Sequence, residues 1–327
     1  FIFTKKKLYN LHLKMIHKIT HSVMFHHFHN DQHSPSQGSL SGSDFINMID
    51  WLGKKYNLLN ANTYKKKFLN QELQEKDICL TFDDALKCQI DIAVPIMERY
   101  GIEAFFFVYS SAFGEHPDLL EVYRYFRTSA YYDIDKFYDD FFSYIKKRDV
   151  KEFSNQYFKF TNLKYLSAFP FYSHNDRWFR YLRDQYLDNK DYHKIMKSLM
   201  LKKSFNIALA KKNLWMTEKD LVKISNKGHI IGLHSYSHPT QMSKLNKYDQ
   251  EVEYQKNFDH LSKVIKKPIK TMAHPCGDYS KDTLNILNAM NIEIGFRSSM
   301  SIKRISSPLE IPREDNANVL RAMNNDD

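Results

Sequence analysis

Two adjacent aspartates, Asp83 and Asp84, form the first pair in the sequence that could carry chemistry. They directly follow residues 78–82, a short apolar run that is typical of a buried strand. Neighbouring carboxylates repel each other unless a cation compensates, and a divalent metal bound by one of them would explain the pair. The alternative is a helix N-cap, because an aspartate at a strand-to-helix turn accepts hydrogen bonds from backbone N–H groups. The pair by itself leaves both interpretations open.

A second pair, His234 and His238, follows residues 229–233, a predicted strand with an apolar centre. Imidazoles four positions apart lie on one face of a helix or converge in a tight loop. Zinc commonly binds such ligands and keeps one coordination position open when it is catalytic. Pro239 argues against a regular helix through His238 and favours a loop. In a chain with 15 histidines this spacing is a weak signal of a metal site. The position of the pair at the end of a predicted strand makes the signal stronger.

Four further histidines, His26, His27, His29 and His33, lie at or just beyond the end of the first predicted strand. They could form a second metal cluster, or supply a proton-transfer group beside the first site. A group of solvated histidines is the alternative.

Cys276 lies two residues after His274 and directly before Gly277. A thiol nucleophile is one interpretation, although this spacing places little constraint on a Cys–His pair. The chain has only nine glycines, so Gly277 is worth explaining. We expect it to permit a turn that aims backbone N–H groups at a ligand.

These residues depend on alternating strands and helices. The strand–helix–strand pattern of residues 78–108, with Gly101 closing the helix, indicates a βαβ unit and parallel strands. Residues 110–213 are rich in aromatic side chains and lysine, and they predict a helical insertion. The pattern predicts an α/β fold, a parallel barrel or open sheet, with its active site at the carboxyl ends of the strands. The predicted strands are 21–29, 78–82, 102–108, 229–233, 269–273 and 292–297, and the predicted helices of the α/β part are 45–52, 87–100, 220–225, 249–265 and 282–291.

Three segments together resemble the polysaccharide deacetylase family (carbohydrate esterase family four, the NodB-like homology domain). They are ICLTFDDA at 78–85, GHIIGLHSYSHP at 228–239 and AHPCGDYS at 273–280, in the order of the family's motifs. VMFHHF at 23–28 and IPRE at 311–314 add weaker similarity. The resemblance implies a distorted, incomplete (β/α) barrel over residues 21–327, interrupted by the helical insertion at about 110–213.

The resemblance also implies the site. Asp83 matches the general base, while Asp84, His234 and His238 match ligands of a divalent metal, with Zn2+ first and Ni2+, Co2+ or Mn2+ as alternatives. The implied reaction is hydrolysis of an N-acetyl, or N-formyl, group on an amino sugar. By the same analogy, the backbone N–H of Cys276 would help to hold the oxyanion, which makes Cys276 a catalytic position.

The third motif departs from the family pattern. This chain has Ala273 and Cys276 where the family usually has arginine and tyrosine. Arg313 is therefore the candidate for orienting the base. No Leu-x-His motif follows, so the general acid is assigned to His26 first and to His27 second. We expect substrate contacts from His27, His274, Gly277, Tyr279 and Arg313.

Composition and charge limit the class of protein and the partners that it is expected to bind. The 327 residues are 43% hydrophobic and 26% charged, which is ordinary for a globular protein and excludes a fibrous or disordered one. A formal charge of +10 favours an anionic partner, or reflects only a lysine-rich surface. No helix-turn-helix, zinc finger or Gly-rich RNA motif is present, so we expect no nucleic-acid partner. Three cysteines without paired spacing indicate a reducing compartment.

The sequence therefore predicts a metal-dependent carbohydrate N-deacetylase of surface-glycan biosynthesis. Its expected substrate is an acetamido sugar, on a nucleotide or lipid carrier. We expect a cytoplasmic protein, with peripheral membrane contact through a basic arm at residues 1–20 and oligomerisation through the insertion as further options. A secreted or periplasmic location would require a leader upstream. The alternative function is a glycan-binding or scaffold protein on a catalytically decayed form of the same fold.

Overall fold

A computed structural model describes residues 21–115, 117, 119–167, 172–302 and 304–326. The predicted basic arm at residues 1–20 lies outside this range. The described residues fall into two compact units. The first comprises residues 21–117 and 215–326, and the second is the helical unit Leu119–Leu214.

The first unit is built on a seven-stranded sheet in which every neighbouring pair is parallel, in the order β10-β9-β8-β7-β6-β1-β11. A parallel bridge between Phe296 of β10 and Ile311, two residues before β11, nearly closes the sheet into a barrel. The fold prediction of an incomplete (β/α) barrel with a helical insertion is thereby confirmed. The strands are β1 (Ser22–Phe25), β2 (Phe28–His29), β3 (Leu40–Ser41), β4 (Asn57–Leu58), β5 (Asp77–Ile78), β6 (Leu80–Asp83), β7 (Phe105–Val108), β8 (Ile230–Leu233), β9 (Thr271–Ala273), β10 (Ile294–Phe296) and β11 (Arg313–Asp315).

The strands are continuous apolar runs because helices and neighbouring strands bury both of their faces. Side chains alternate along β7, so that Phe105 and Phe107 belong to one cluster, with Phe296 and Ile311. Phe106 points to the other face and stacks on Phe82 with ring centroids 4.8 Å apart. This aromatic packing holds the strands in register and thus fixes where each strand ends.

Helices cover the sheet and also make up the second unit. The first α-helix begins after Ser41, whose hydroxyl accepts from the backbone N–H of Asp44 while the Asp44 side chain accepts from the Ser41 N–H. Gly101 ends the helix before β7 in a left-handed conformation (φ 66°), as the sequence predicts. The helices are α1 (Gly42–Lys55), α2 (Ala61–Leu69), α3 (Val94–Tyr100), α4 (Leu119–Ser129), α5 (Ile134–Arg148), α6 (Val150–Leu163), α7 (His174–Tyr181), α8 (Asn189–Lys202), α9 (Ile207–Leu214), α10 (Glu218–Asn226), α11 (Lys247–Ile265), α12 (Lys281–Ala289) and α13 (Asn316–Met323), with π-helical turns at Gln89–Ala93 and Leu182–Tyr186.

The second unit contains α4 to α9 and has its own aromatic core. Phe137, Phe141 and Phe179 are fully buried, and the rings of Phe141 and Phe179 meet edge to face at 4.9 Å. The aromatic periodicity in the sequence therefore marks the buried face of α5. None of the helices in the described part of the chain has the length and hydropathy needed to cross a membrane. No disulfide joins the three cysteines, all of which are described.

Candidate metal and acid–base site

Asp83 and Asp84 lie at the carboxyl end of β6, where the backbone turns sharply. Asp84 and Ala85 both have left-handed backbone conformations, with φ of 74° and 52°. This conformation is unfavourable for residues other than glycine and is characteristic of functional turns. The backbone N–H of Asp84 still donates to the carbonyl of Phe107 in the neighbouring strand, at 3.1 Å. The π-helical turn that follows, Gln89–Ala93, has Cys88 as its N-cap, so neither aspartate caps that turn.

His234 and His238 lie in the loop after β8, as Pro239 predicts, and not on a helix. The Nδ1 of His234 donates to the carbonyl oxygen of Ala273 at 2.8 Å, which leaves Nε2 as the ligand atom. Burial lowers the pKa of His234 to about 3, so the ring is neutral at ordinary pH. His238 has a left-handed backbone (φ 57°), and its N–H donates to the hydroxyl of Ser235.

The two pairs converge. The Oδ1 of Asp84 lies 3.5 Å from the Nε2 of His234 and 3.5 Å from the Nε2 of His238. One ligand atom from each of the three residues lies within 4.8 Å of the other two. Two neutral imidazoles and one carboxylate are a donor set that zinc and similar divalent metals take, with a position left for water or substrate. The residues present therefore fit a catalytic metal.

Asp83 lies beside this group but has a different partner. Its two oxygens accept from Nη1 and Nη2 of Arg313, both at 2.7 Å, and both side chains are almost completely buried. Burial alone would raise the pKa of Asp83. The guanidinium of Arg313, with the nearby imidazoles of His234 and His26, outweighs that effect and holds the pKa well below its usual range. Asp83 is thus ionised at neutral pH.

His26 is the partly exposed member of the cluster. Its Nε2 lies 3.7 Å from the Oδ2 of Asp83 and 3.9 Å from the Oδ2 of Asp84, and 30% of its side chain is accessible. His27 stacks on it with ring centroids 6.3 Å apart. His26 is therefore within reach of both the carboxylates and solvent, which a proton donor requires.

The other two histidines after β1 point elsewhere. The Nδ1 of His29 lies 2.9 Å from the hydroxyl of Ser39, and the Nε2 of His33 lies 2.8 Å from the Oδ2 of Asp91. Within the described ranges, only Asp84, His234 and His238 form a group that could hold a metal ion. The second metal cluster that the sequence suggested there is therefore not formed.

The third segment, after β9, divides into a buried and an accessible part. His274 is fully buried, its Nε2 donates to the carbonyl of Leu309 at 2.9 Å, and its ring stacks on Tyr279 at 4.1 Å. A direct substrate contact does not fit this position, and His274 instead supports the turn. Arg313 is likewise too deeply buried to touch substrate, because its guanidinium is used on Asp83. The sequence predicted substrate contacts for His274 and Arg313, and their burial argues against a direct contact.

The accessible part consists of Cys276, Gly277 and Tyr279. Cys276 is exposed and has a left-handed backbone (φ 52°), as does Gly277 (φ 68°). A Cβ on Gly277 would lie 2.0 Å from the hydroxyl oxygen of Ser298, so glycine is needed for close approach as well as for the turn. The hydroxyl of Tyr279 donates to Glu310 at 2.6 Å, and partial burial together with that carboxylate raises the pKa of Tyr279 to about 12.

Three amide and carboxylate side chains hold the site together without appearing in any motif. Gln89 donates to the carbonyl oxygens of Asp83 (2.6 Å) and His26 (2.9 Å), and so joins the ends of β6 and β1. Asn257 accepts from the backbone N–H of His234 at 2.9 Å. Glu253 accepts from two successive N–H groups of the loop before His238. For Gln89 and Asn257, which are both fully buried, the available signal was a polar residue on the buried side of a predicted helix, where it is costly without a partner.

Comparison with known proteins identifies the family and the fold of this chain. The chain matches the family model for polysaccharide deacetylase over residues 70–125 and 186–295, about half of its length. The unmatched residues between those ranges lie within the helical unit. No curated protein matches this sequence.

Solved structures with a similar fold include the Streptococcus pyogenes deacetylase PplD in complex with acetate. It is 16% identical, with a TM-score of 0.54 over 90% of this chain and 91% of that one. IcaB from Ammonifex degensii is 12% identical, with a TM-score of 0.53 over 90% and 91%. The de-N-acetylase from Aggregatibacter actinomycetemcomitans is 12% identical, with a TM-score of 0.52 over 90% and 93%. At these identities the likeness concerns the fold.

The family match and the barrel agree with the order of the motifs at the strand ends. This chain belongs to the polysaccharide deacetylase family.

Proposed function

We propose that this protein is a metal-dependent hydrolase that removes an N-acetyl group from an amino sugar. The observation that carries the proposal is the convergence of Asp84, His234 and His238 beside a separate, ionised Asp83. Zn2+ suits two nitrogen donors and one oxygen donor, and Ni2+, Co2+ or Mn2+ are the alternatives. The chemistry that a bound metal supplies here is Lewis-acid polarisation of water and of the amide oxygen.

Asp83 is the general base. Arg313 fixes both of its oxygens and keeps it ionised, so that it can accept a proton from the attacking water. The hydroxide formed adds to the carbonyl carbon of the acetyl group. The pairing with Arg313 also makes Asp83 a weaker base than a solvated carboxylate.

His26 is the general acid, with His27 as the second choice. When the C–N bond of the adduct breaks, the departing amine needs a proton, and the products are acetate and a free amino sugar. His26 is supported in this role by its accessibility and by its position 3.7 Å from Asp83. The negative charge on the carbonyl oxygen is countered by the backbone N–H of Cys276, in the turn after β9.

Substrate contacts are assigned to His27, Gly277 and Tyr279, which are partly exposed around the site. An acetamido sugar offers hydroxyl groups to the imidazole and the phenol, and a flat amide to the backbone at Gly277. We further propose that the sugar is carried on a nucleotide or lipid at the cytoplasmic side. The net charge of the chain supports a phosphate-bearing carrier.

The test is acyl release from acetamido sugars by the zinc-loaded protein. Nucleotide-linked, lipid-linked and polymeric N-acetylglucosamine are compared, with acetate and formate measured separately so that deacetylation and deformylation are distinguished. Chelation should abolish release and zinc should restore it. His234→Ala should lose both the metal and the activity, while His174→Ala, an exposed histidine in the helical unit, is the matched control that should keep both.

His26→Ala tests the acid. The expected result is a slower reaction, because the amine then leaves without a donor. An unchanged rate across the pH profile would eliminate His26 and direct the same test to His27. Full metal binding with no acyl release from any of the substrates would instead favour the scaffold alternative.

A further inference from the structure

The positive charge of this protein is concentrated in the helical unit. Residues 119–214 contain 19 lysines and arginines against 11 acidic residues, so this unit carries +8 of the formal +10. The catalytic unit does not account for the basic character of the chain. Most of the positive charge available to an anionic surface therefore lies in the helical unit.

Within that unit, one stretch is both basic and free of acids. Six lysines and no acidic residue occur between Asp191 and Glu218. We call residues 194–212 of this stretch the basic–aliphatic strip. It runs from the middle of α8 into α9 and holds all six lysines: Lys194, Lys197, Lys202, Lys203, Lys211 and Lys212.

The basic–aliphatic strip also exposes large apolar side chains. Leu201 is 81% exposed, Leu209 is 57% exposed and Ile207 is 37% exposed. Of the twelve large hydrophobic side chains that are exposed in the described part of the chain, nine belong to the helical unit. Single exposed leucines are ordinary, but here three exposed aliphatic side chains alternate with lysines along one short stretch, a composition typical of membrane-surface segments.

The strip is anchored from beneath. Phe205 packs its ring edge to face on Phe126, with centroids 5.0 Å apart. The Nζ of Lys203 lies 4.2 Å from the centre of the Tyr131 ring, and the neighbouring Tyr132 is fully exposed. The exposed side chains therefore project from a fixed support.

We propose that the basic–aliphatic strip binds the surface of an anionic lipid bilayer. Lys202 is paired with Asp140 at 2.8 Å, and Lys203 lies over Tyr131. Leucine and isoleucine can enter the boundary between headgroups and acyl chains while the exposed Lys194, Lys197 and Lys212 meet the lipid phosphates. The composition disfavours nucleic acid, because the strip has no arginine, and its most exposed apolar side chains are aliphatic and cannot stack on bases. The inference does not depend on the proposed deacetylation, since it uses only the helical unit.

The test is cosedimentation of the full chain with vesicles of equimolar phosphatidylglycerol and phosphatidylcholine, compared with phosphatidylcholine alone. Binding should require the anionic lipid and weaken with added salt. Leu201→Ser/Leu209→Ser should weaken it by at least about ten-fold. Lys197→Gln/Lys212→Gln should weaken it by about five-fold for each lysine removed.

Leu163→Ser is the matched control, since Leu163 is 65% exposed in the same unit but lies outside the strip. It should bind like the parent protein, and circular dichroism should find all the variants folded. No binding to anionic vesicles, or equal binding by the Leu201→Ser/Leu209→Ser variant, overturns the proposal. Tighter binding to single-stranded RNA than to vesicles, unaffected by the leucine substitutions, would mean that the partner is nucleic acid.

Discussion

The buried pair of Asp83 and Arg313 offers the sharpest quantitative prediction. Both side chains are almost inaccessible, and two charge-assisted hydrogen bonds of 2.7 Å join them. Removing one partner of such a pair leaves an uncompensated charge in the interior, which costs about 3–5 kcal/mol. We expect Arg313→Met and Asp83→Asn each to lower the free energy of unfolding by an amount in that range.

The double variant separates the pair from its surroundings. In Asp83→Asn/Arg313→Met neither charge of the pair remains. The double variant should therefore lose less stability than the sum of the two single losses, by about 2–3 kcal/mol. Arg313 also donates to the carbonyl of Arg297 at 2.6 Å, and that bond is lost in every variant that contains Arg313→Met. It therefore cancels from the coupling.

The assay is urea unfolding followed by tryptophan fluorescence, with a chelator present so that metal binding does not contribute. Arg313→Lys is the companion variant, since it keeps the charge but cannot make both bonds, and it should lose less than Arg313→Met. The coupling energy is the sum of the two single losses minus the loss in the double variant. A value below about 0.5 kcal/mol would refute the reasoning, because distant and independent sites give values of that size.

Three further predictions concern other parts of the catalytic unit. Gly277→Ala should lower the free energy of unfolding by about 1 kcal/mol or more beyond the loss in Gly38→Ala. Both positions have positive φ, but only Gly277 has a close neighbour, Ser298. Equal losses in the two variants on denaturation would contradict this. The free energy of unfolding should decline as pH falls from about 6.5 to about 4, because burial lowers the pKa of His229 to about 4 and the unfolded chain then binds a proton that the folded one does not. In urea titrations across this range, His229→Gln should reduce that decline by up to about 3 kcal/mol. A decline that is unchanged in the variant would be the contrary result. Gln89→Leu should reduce kcat for acetate release without loss of zinc. Gln89 donates to the carbonyls of Asp83 and His26, and no hydrogen bond joins it to the described metal ligands. A kcat equal to that of the parent protein would exclude this positioning role.

Much of this arrangement follows from patterns that the sequence carries openly. Asp83–Asp84 and His234-x-x-x-His238 each end an apolar run, and parallel strands bring such ends to one edge of a sheet. The strand that supplies Arg313 carries no such signal. It is three residues long, Arg313–Asp315, entirely polar, and is stabilised by pairing with β1. Only the resemblance, through the IPRE segment, pointed to it.

The remaining differences also have physical reasons. The first helix begins at Gly42, earlier than the predicted 45–52, because Ser41 caps it. A capping pair needs its partner three residues later, and Asp44 fills that place. The burial of His274 depends on the carbonyl of Leu309, 35 residues along the chain, which no local pattern reveals. Likewise, the left-handed backbone of Asp84 is set by the turn and its bond to β7, and not by the preference of aspartate.

The central claim is that three side chains hold a metal while Asp83, next to them, activates water. One measurement tests both halves together: acetate release by Asp83→Asn, on protein whose zinc content is determined in the same sample. We predict zinc bound as in the parent protein and a rate lower by a factor of about 100 to 10,000, the usual contribution of a positioned base. Acetate release at the parent rate would contradict the role of Asp83 as the base. Loss of zinc from Asp83→Asn would contradict the assignment of metal binding to Asp84 and not to Asp83.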